Sequence, residues 1–143
     1  MTVWTRQFTL ADLDAIGEHS ASENCGIRYT AIGENWIEAT MPLDARTRDA
    51  AGALHPGALG ILAETIGSVA ASLCIDSAHR MCVGQILHIN YLAPVMAGPV
   101  RAKASAIAIR EDSHVWDIDM TDSRGSRVGA ARLTMAVLDG QER

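Results

Sequence analysis

The sequence predicts an α+β domain in which a curved antiparallel sheet encloses one central helix. The run from Pro56 to about Ile75 is helix-length and apolar on nearly every side, through Leu59, Ile61, Leu62, Ala63, Ile66, Val69, Ala70 and Leu73. That pattern marks a helix surrounded by protein. An antiparallel meander of three long alternating segments follows it, and one or two strands precede it. A helix this apolar has to be wrapped by the sheet.

The elements follow in order. TLADLDAIGEH offers Thr9 as N-cap and Asp12 at the third helical position, with Leu10, Leu13 and Ile16 near one face, so a short helix starts after Thr9 and ends around Gly17 or His19. GIRYTAIG and ENWIEATMP read as two strands around a turn at Gly33, the second ended by Pro42. DARTRDAAG has no period and reads as a loop. Pro56 then opens the helix, at the one position where a missing N–H costs no intrahelical bond. MCVGQILHINYLAP fits a long strand. GPVRAKASAIAIR alternates Val100, Ala102, Ala104, Ala106 and Ala108 against Arg101, Lys103, Ser105, Ile107 and Ile109, and the alanine face leaves room for a bulky element. HVWDIDMTD, a DSRG turn and SRVGAARLTMAVLD complete the sheet.

With 143 residues and 48% hydrophobic content, the chain supports one core, and we read residues 1–143 as a single domain. A formal charge of −5 supplies no general positive field for nucleic acid or an anionic membrane. Cys25, Cys74 and Cys82 form no CxxC or metal-ligand spacing and read as packing thiols in a reducing compartment. The opening MTVWTRQFTLADLD lacks a basic segment followed by an apolar one, and Glu64 with several Ser, Thr and Gly residues interrupts the longest apolar run. The expectation is a cytoplasmic chain with no membrane segment and no metal.

Glu64 is the anomaly. A lone carboxylate taken from water needs a partner or a proton, and no Lys, Arg or His lies between Pro56 and Ile75. Ser68 and Ser72 recur at helical spacing from it with Thr65 beside it, giving a narrow polar stripe on an apolar cylinder. The stripe is either solvated or a subunit contact, or it carries Glu64 as a base or nucleophile. His55 stands beside the electropositive helix start, where Gly57 and Ala58 are the expected open amide donors. The other histidines have no metal-pair spacing. Arg110, Arg101 and Lys103 form the one local basic cluster, with Arg110 on the opposite strand face from the other two.

GALHPGALGILAETIGSVAAS, followed by VGQILHINYLAPVMAGPV and IREDSHVWDIDMTDSRGSRVGAARLTMAVL, resembles the small hotdog-fold acyl-CoA thioesterases. The likeness is to the phenylacetate-degradation (PaaI-like) type and to the aromatic acyl-CoA or aryl-carrier-protein thioesterases of menaquinone and siderophore synthesis. It covers nearly the whole chain. It implies hydrolysis of an acyl-CoA or acyl-carrier-protein thioester, with coenzyme A entering only as part of the substrate and no separate cofactor. It implies a homodimer, or a dimer of dimers forming a homotetramer, with sites at the dimer interface.

In that resemblance Glu64 matches the catalytic carboxylate, His55 a substrate-orienting histidine and Ser68 a polar residue that positions water or substrate. Arg110 and the neighbouring Ser113 are expected to contact the nucleotide phosphates. Gly57 and Glu64 stand about 10 Å apart along one helix at its ~1.5 Å rise, too far to grip one carbonyl, so the two groups are expected to come from different subunits. The sequence departs from the pattern twice. Pro56 replaces a glycine whose amide polarises the thioester, leaving Gly57 to take over, and Asp49 replaces a glutamine. A hotdog-fold dehydratase, hydratase or cyclase, and a non-catalytic acyl-CoA-binding protein, are the alternatives these departures leave open.

Overall fold

The computed structural model describes residues 1–140. Helix α1, Leu10–Ile16, starts where the sequence sets it: the Thr9 hydroxyl accepts from the Asp12 N–H, and the Asp12 carboxylate accepts from the Thr9 N–H at 2.8 Å. A second helix, α2, Ala21–Asn24, was absent from the sequence reading. It is a single turn capped by Ser20, too short to carry a period.

Strands β1, Arg28–Ile32, and β2, Trp36–Met41, precede the central helix α3, Pro56–Ser72. Strands β3, Arg80–Tyr91, β4, Val100–Ile109, β5, Ser113–Thr121, and β6, Arg127–Asp139, follow it. All pairings are antiparallel, and the spatial order is β1-β2-β4-β5-β6-β3. The meander therefore consists of β4, β5 and β6. β3 crosses over to pair with β6 and stands at the sheet edge.

The inner face is laid down by alternation: Ile37, Ala39 and Met41 on β2, Val100, Ala102 and Ala104 on β4, and His114, Trp116, Ile118 and Met120 on β5 are buried. The small β4 side chains admit α3. At Gly67 the approach of α3 to β6 is so close that a Cβ would lie 2.5 Å from Leu133 Cδ2. Alternation on β4 does not run through as expected. A bulge at Ile107 leaves Ala106 opposite Trp116 but Ala108 opposite Val115, so Ile107 is turned out to solvent and Ile109 is set opposite the buried His114.

The helix is also less enclosed than its composition suggests. Ala58, Leu59, Leu62, Ala63, Ile66, Gly67, Ala70 and Ala71 are buried, whereas Ile61 is 38% exposed and Glu64, Thr65, Ser68 and Ser72 are only half-buried. One chain thus covers the broad apolar face of α3 and leaves the polar stripe open. The helix ends at Ser72, before Ile75, because the N-terminal segment caps it. The Thr5 N–H donates to the Leu73 carbonyl at 2.9 Å, and the Thr5 hydroxyl lies 3.0 Å from that carbonyl and 3.1 Å from that of Ile75. Trp4 anchors this segment by stacking on Trp116 with ring centroids 6.1 Å apart. Among the described residues no helix is long and apolar enough to cross a membrane.

Candidate active site

Glu64 lies on the open stripe of α3, and the Ser68 hydroxyl, one turn on, donates to its Oε1 at 2.9 Å. Across from it runs β3. A Cβ at Gly84 would be 2.8 Å from the same oxygen, so the carboxylate sits directly against the backbone of the edge strand. Ser68 Oγ also lies 3.9 Å from Met135 Sδ, and Met135 is paired with Gly84 across β3 and β6. Among the described residues no cation forms an ion pair with Glu64. The group keeps accepting capacity that one hydroxyl does not use, which suits a base or nucleophile.

His55 is the N-cap of α3. Its Nδ1 accepts from the Gly57 N–H at 2.9 Å, its carbonyl accepts from the Ala58 N–H at 2.9 Å, and its own N–H donates to the Thr47 carbonyl. This corrects the expectation for the helix start. The Gly57 and Ala58 amides are both engaged within the chain and are not open donors. Because a backbone N–H can only donate, Nδ1 must be the acceptor, and the neutral ring carries its proton on Nε2. His55 is exposed, so the ring N–H of its imidazole is a side-chain donor at the head of α3.

Asp49 has a structural task. Its Oδ1 accepts from the N–H groups of Ala51 at 2.8 Å and Ala53 at 3.1 Å, closing the turn that passes through Gly52 at φ 86°. Asp49 and Pro56 also line a cleft of about 310 Å³ with Leu59, Tyr91 and Leu92. A second cavity, of about 300 Å³, also borders the helix start, lined by Arg46, Arg48, His55, Gly57 and Ile61. A third, of about 270 Å³, adjoins the Glu64 seat, with Thr65, Ser68 and Val69 on one wall and Ile16 and Tyr29 on the other. A larger cleft, about 480 Å³ between the N-terminal segment and Ile32, contains none of the candidate residues.

The structure brings Glu64 and Ser68 together, and likewise His55 and Gly57, as two clusters on one helix. Arg110 and Ser113 lie elsewhere, in the β4–β5 hairpin, where the Arg110 N–H donates to the Ser113 carbonyl and the Ser113 hydroxyl donates to Asp112. Neither lines the three smaller cavities. The basic cluster expected with Arg110 is dispersed: Arg101 is paired with Glu38 at 3.4 Å, and the Lys103 ammonium lies 4.1 Å over the Trp36 ring. Gly84 and Tyr29 were missed by sequence reasoning. A glycine inside a strand was the available signal for the first.

The thioesterase superfamily model matches residues 51–128. The chain is 38% identical over 136 residues to the 1,4-dihydroxy-2-naphthoyl-CoA hydrolase of Escherichia coli, covering 95% of this chain and 99% of that one. It is 38% identical over 135 residues to the proofreading thioesterase EntH of Klebsiella pneumoniae, covering 94% and 98%. A solved thioesterase from Haemophilus influenzae superposes with a TM-score of 0.94 at 40% identity, covering 99% of each chain. A curved antiparallel sheet wrapped on one helix, the match to the family model over the helix and strands β3 to β5, and full-length relatives named as thioester hydrolases agree, and the chain belongs to the hotdog-fold thioesterase superfamily.

Proposed function

We propose that this chain hydrolyses the thioester of an aromatic or medium-chain acyl group carried on coenzyme A or on a carrier protein. The observation that carries the reading is the Glu64 seat: a carboxylate without a cationic partner, fixed by Ser68 at 2.9 Å, on the one face of α3 that the chain leaves open. The adjoining cavity of about 270 Å³, with Val69, Ile16 and Tyr29 among its walls, offers space for an acyl group beside this seat. The relative named 1,4-dihydroxy-2-naphthoyl-CoA hydrolase supports an aromatic acyl group, and the one named proofreading thioesterase supports thioester hydrolysis.

Two copies complete the site. Along α3, Gly57 and Glu64 are about 10 Å apart, so His55 of one copy and Glu64 of another are the pair that reaches one carbonyl. The edge strand β3 supports this assembly. It is 12 residues long, ends the sheet and exposes Met81, Val83, Ile86 and Tyr91. Coenzyme A then enters as part of the substrate, and Arg110 with Ser113 at the hairpin is the candidate contact for its phosphates. Three free thiols fit a reducing, cytoplasmic setting.

In this mechanism the thioester oxygen accepts from His55 Nε2–H near the positive end of α3, which stabilises the developing oxyanion. Glu64 takes a proton from water as the water oxygen bonds to the carbonyl carbon, or attacks the carbon itself. In the first route the C–S bond then breaks and the sulfur takes the proton that Glu64 removed from water; in the second the thiolate leaves a Glu64–acyl anhydride, and the water that hydrolyses the anhydride supplies the thiol's proton and frees Glu64. Purified protein offered a panel of aryl- and alkanoyl-CoA thioesters should release free thiol, and Glu64→Ala should abolish that release. An intact thioester bearing an altered acyl group would assign dehydration or cyclisation instead. Tight binding without turnover would assign a carrier.

A further inference from the structure

We infer that Gly84 is a positioning residue for the Glu64 carboxylate, holding open the seat in which Oε1 lies between the edge strand and the Ser68 hydroxyl. This rests on Glu64 being the reacting group proposed above. Gly84 lies in the interior of β3, where glycine weakens a strand relative to alanine, so its presence needs a cause. A bulge between the Gly84 and Ile86 pairings lies beside it, but Gly84 is not among the left-handed glycines, which are Gly26, Gly52 and Gly125, so its own backbone conformation admits a side chain. The surroundings supply the cause. A Cβ built at Gly84 would meet Glu64 Oε1 at 2.8 Å, Glu64 Cδ at 3.7 Å and Met135 Sδ at 3.8 Å, and the first of these is an overlap.

The atom that has to give way is the far end of a flexible side chain, not backbone or core. An added methyl therefore leaves the fold intact and moves the carboxylate. Its shift loosens the Ser68 hydrogen bond and re-aims the free carboxylate oxygen. A displacement on the order of 1 Å from the reacting geometry costs about a hundredfold in rate. Gly84→Ala should thus separate stability from turnover, an outcome that a glycine required only by the strand would not give.

The test uses the full chain with Gly84→Ala, Glu64→Ala and the double variant, each followed by thermal melting, solution mass and thiol release from the preferred thioester. The expected result for Gly84→Ala is a Tm equal to or above that of the parent, unchanged mass, a KM close to the parent value and a kcat lower by about a hundredfold. The double variant should be no slower than Glu64→Ala alone, because the methyl acts only through the carboxylate. Parent kcat in Gly84→Ala, a further loss in the double variant, or a lowered Tm or altered mass would each overturn the inference. The thioesterase reading stands in those cases if Glu64→Ala is inactive. Full activity in Glu64→Ala would overturn both.

Discussion

The His55 Nδ1 atom accepts the Gly57 N–H at 2.9 Å, so the residue that caps the central helix also consumes the amide next to Pro56 and leaves its ring proton on Nε2. One side chain thereby does two jobs that substitution can separate. His55→Ala should lose the cap, about 1 kcal/mol of stability, together with the donor. His55→Asn should keep the cap and hold Tm near the parent value while kcat falls by about a hundredfold, the effect of removing one oxyanion donor. Melting curves beside thiol-release kinetics check both, and an His55→Asn protein with parent kcat would remove the imidazole from the mechanism.

Pro56 has no N–H to offer at the first helical position. Pro56→Gly introduces one at the mouth of the cleft lined by Asp49 and Tyr91. We expect kcat to rise by about tenfold or more as the oxyanion gains a donor. Stability should fall by about 1 kcal/mol as the unfolded chain gains freedom. An unchanged kcat would mean that the carbonyl is not polarised from this cleft.

Burial pushes the His114 imidazole below the ordinary histidine value of 6.5, with the Arg80 charge adding to the effect and the Arg110 carbonyl opposing it. The folded state favours the neutral ring, whereas the unfolded chain takes up its proton near 6.5. The resulting stabilisation is complete above that value and is lost as pH falls through it toward the folded-state value. Tm measured at pH 7.5 and at pH 5.5, two values of about one unit either side of the ordinary histidine range, should differ in the parent and differ less in His114→Phe. Asp44, which Arg46 holds down to about 2, loses its contribution only in far more acid solution, below 3.8, so the two effects occupy separate windows.

Gly67 faces Leu133 with no room for a methyl group, since its Cβ would lie 2.5 Å from Leu133 Cδ2. Alanine is the better helix former by about 1 kcal/mol, yet overpacking of a filled core costs about 1–3 kcal/mol. Gly67→Ala should therefore be neutral to clearly destabilising in denaturant titration, in contrast to the tolerance expected at Gly84. A stabilised Gly67→Ala protein would show that helix and sheet have slack between them.

Ile86 is 62% exposed on β3, the strand at the sheet edge. Ile86→Lys should reduce the solution mass to that of one chain and abolish thiol release while leaving the secondary-structure content unchanged. Light scattering and circular dichroism distinguish this from unfolding. A lysine variant with parent mass would move the interface off β3.

Much of the fold was legible because its cues are local. The Thr9–Asp12 capping box, Pro56 at the head of α3 and the alternation of His114, Trp116, Ile118 and Met120 lie within a few residues of the structure they specify. The features that escaped depend on distant partners. The edge position of β3 depends on its pairing with β6, and the Ile107 bulge appears only against β5. In the site, Glu64 stood out because no cation accompanied it in sequence, and Ser68 because it falls one turn on. The Gly57 amide looked free because its occupant is set by the imidazole orientation, which no spacing encodes. The role of Gly84 likewise exists only once β3 has crossed beneath α3.

The bond from Thr5 to Leu73 links residues 68 apart in sequence. The last turn of the central helix is therefore finished by residues far upstream of it, and it can close only after the long loop between them has been formed. During synthesis the helix would emerge with its early partner already made. During transient opening, release of the N-terminal strap would unlatch the helix end before the sheet separates, and amide exchange at Leu73 and Cys74 would report that release.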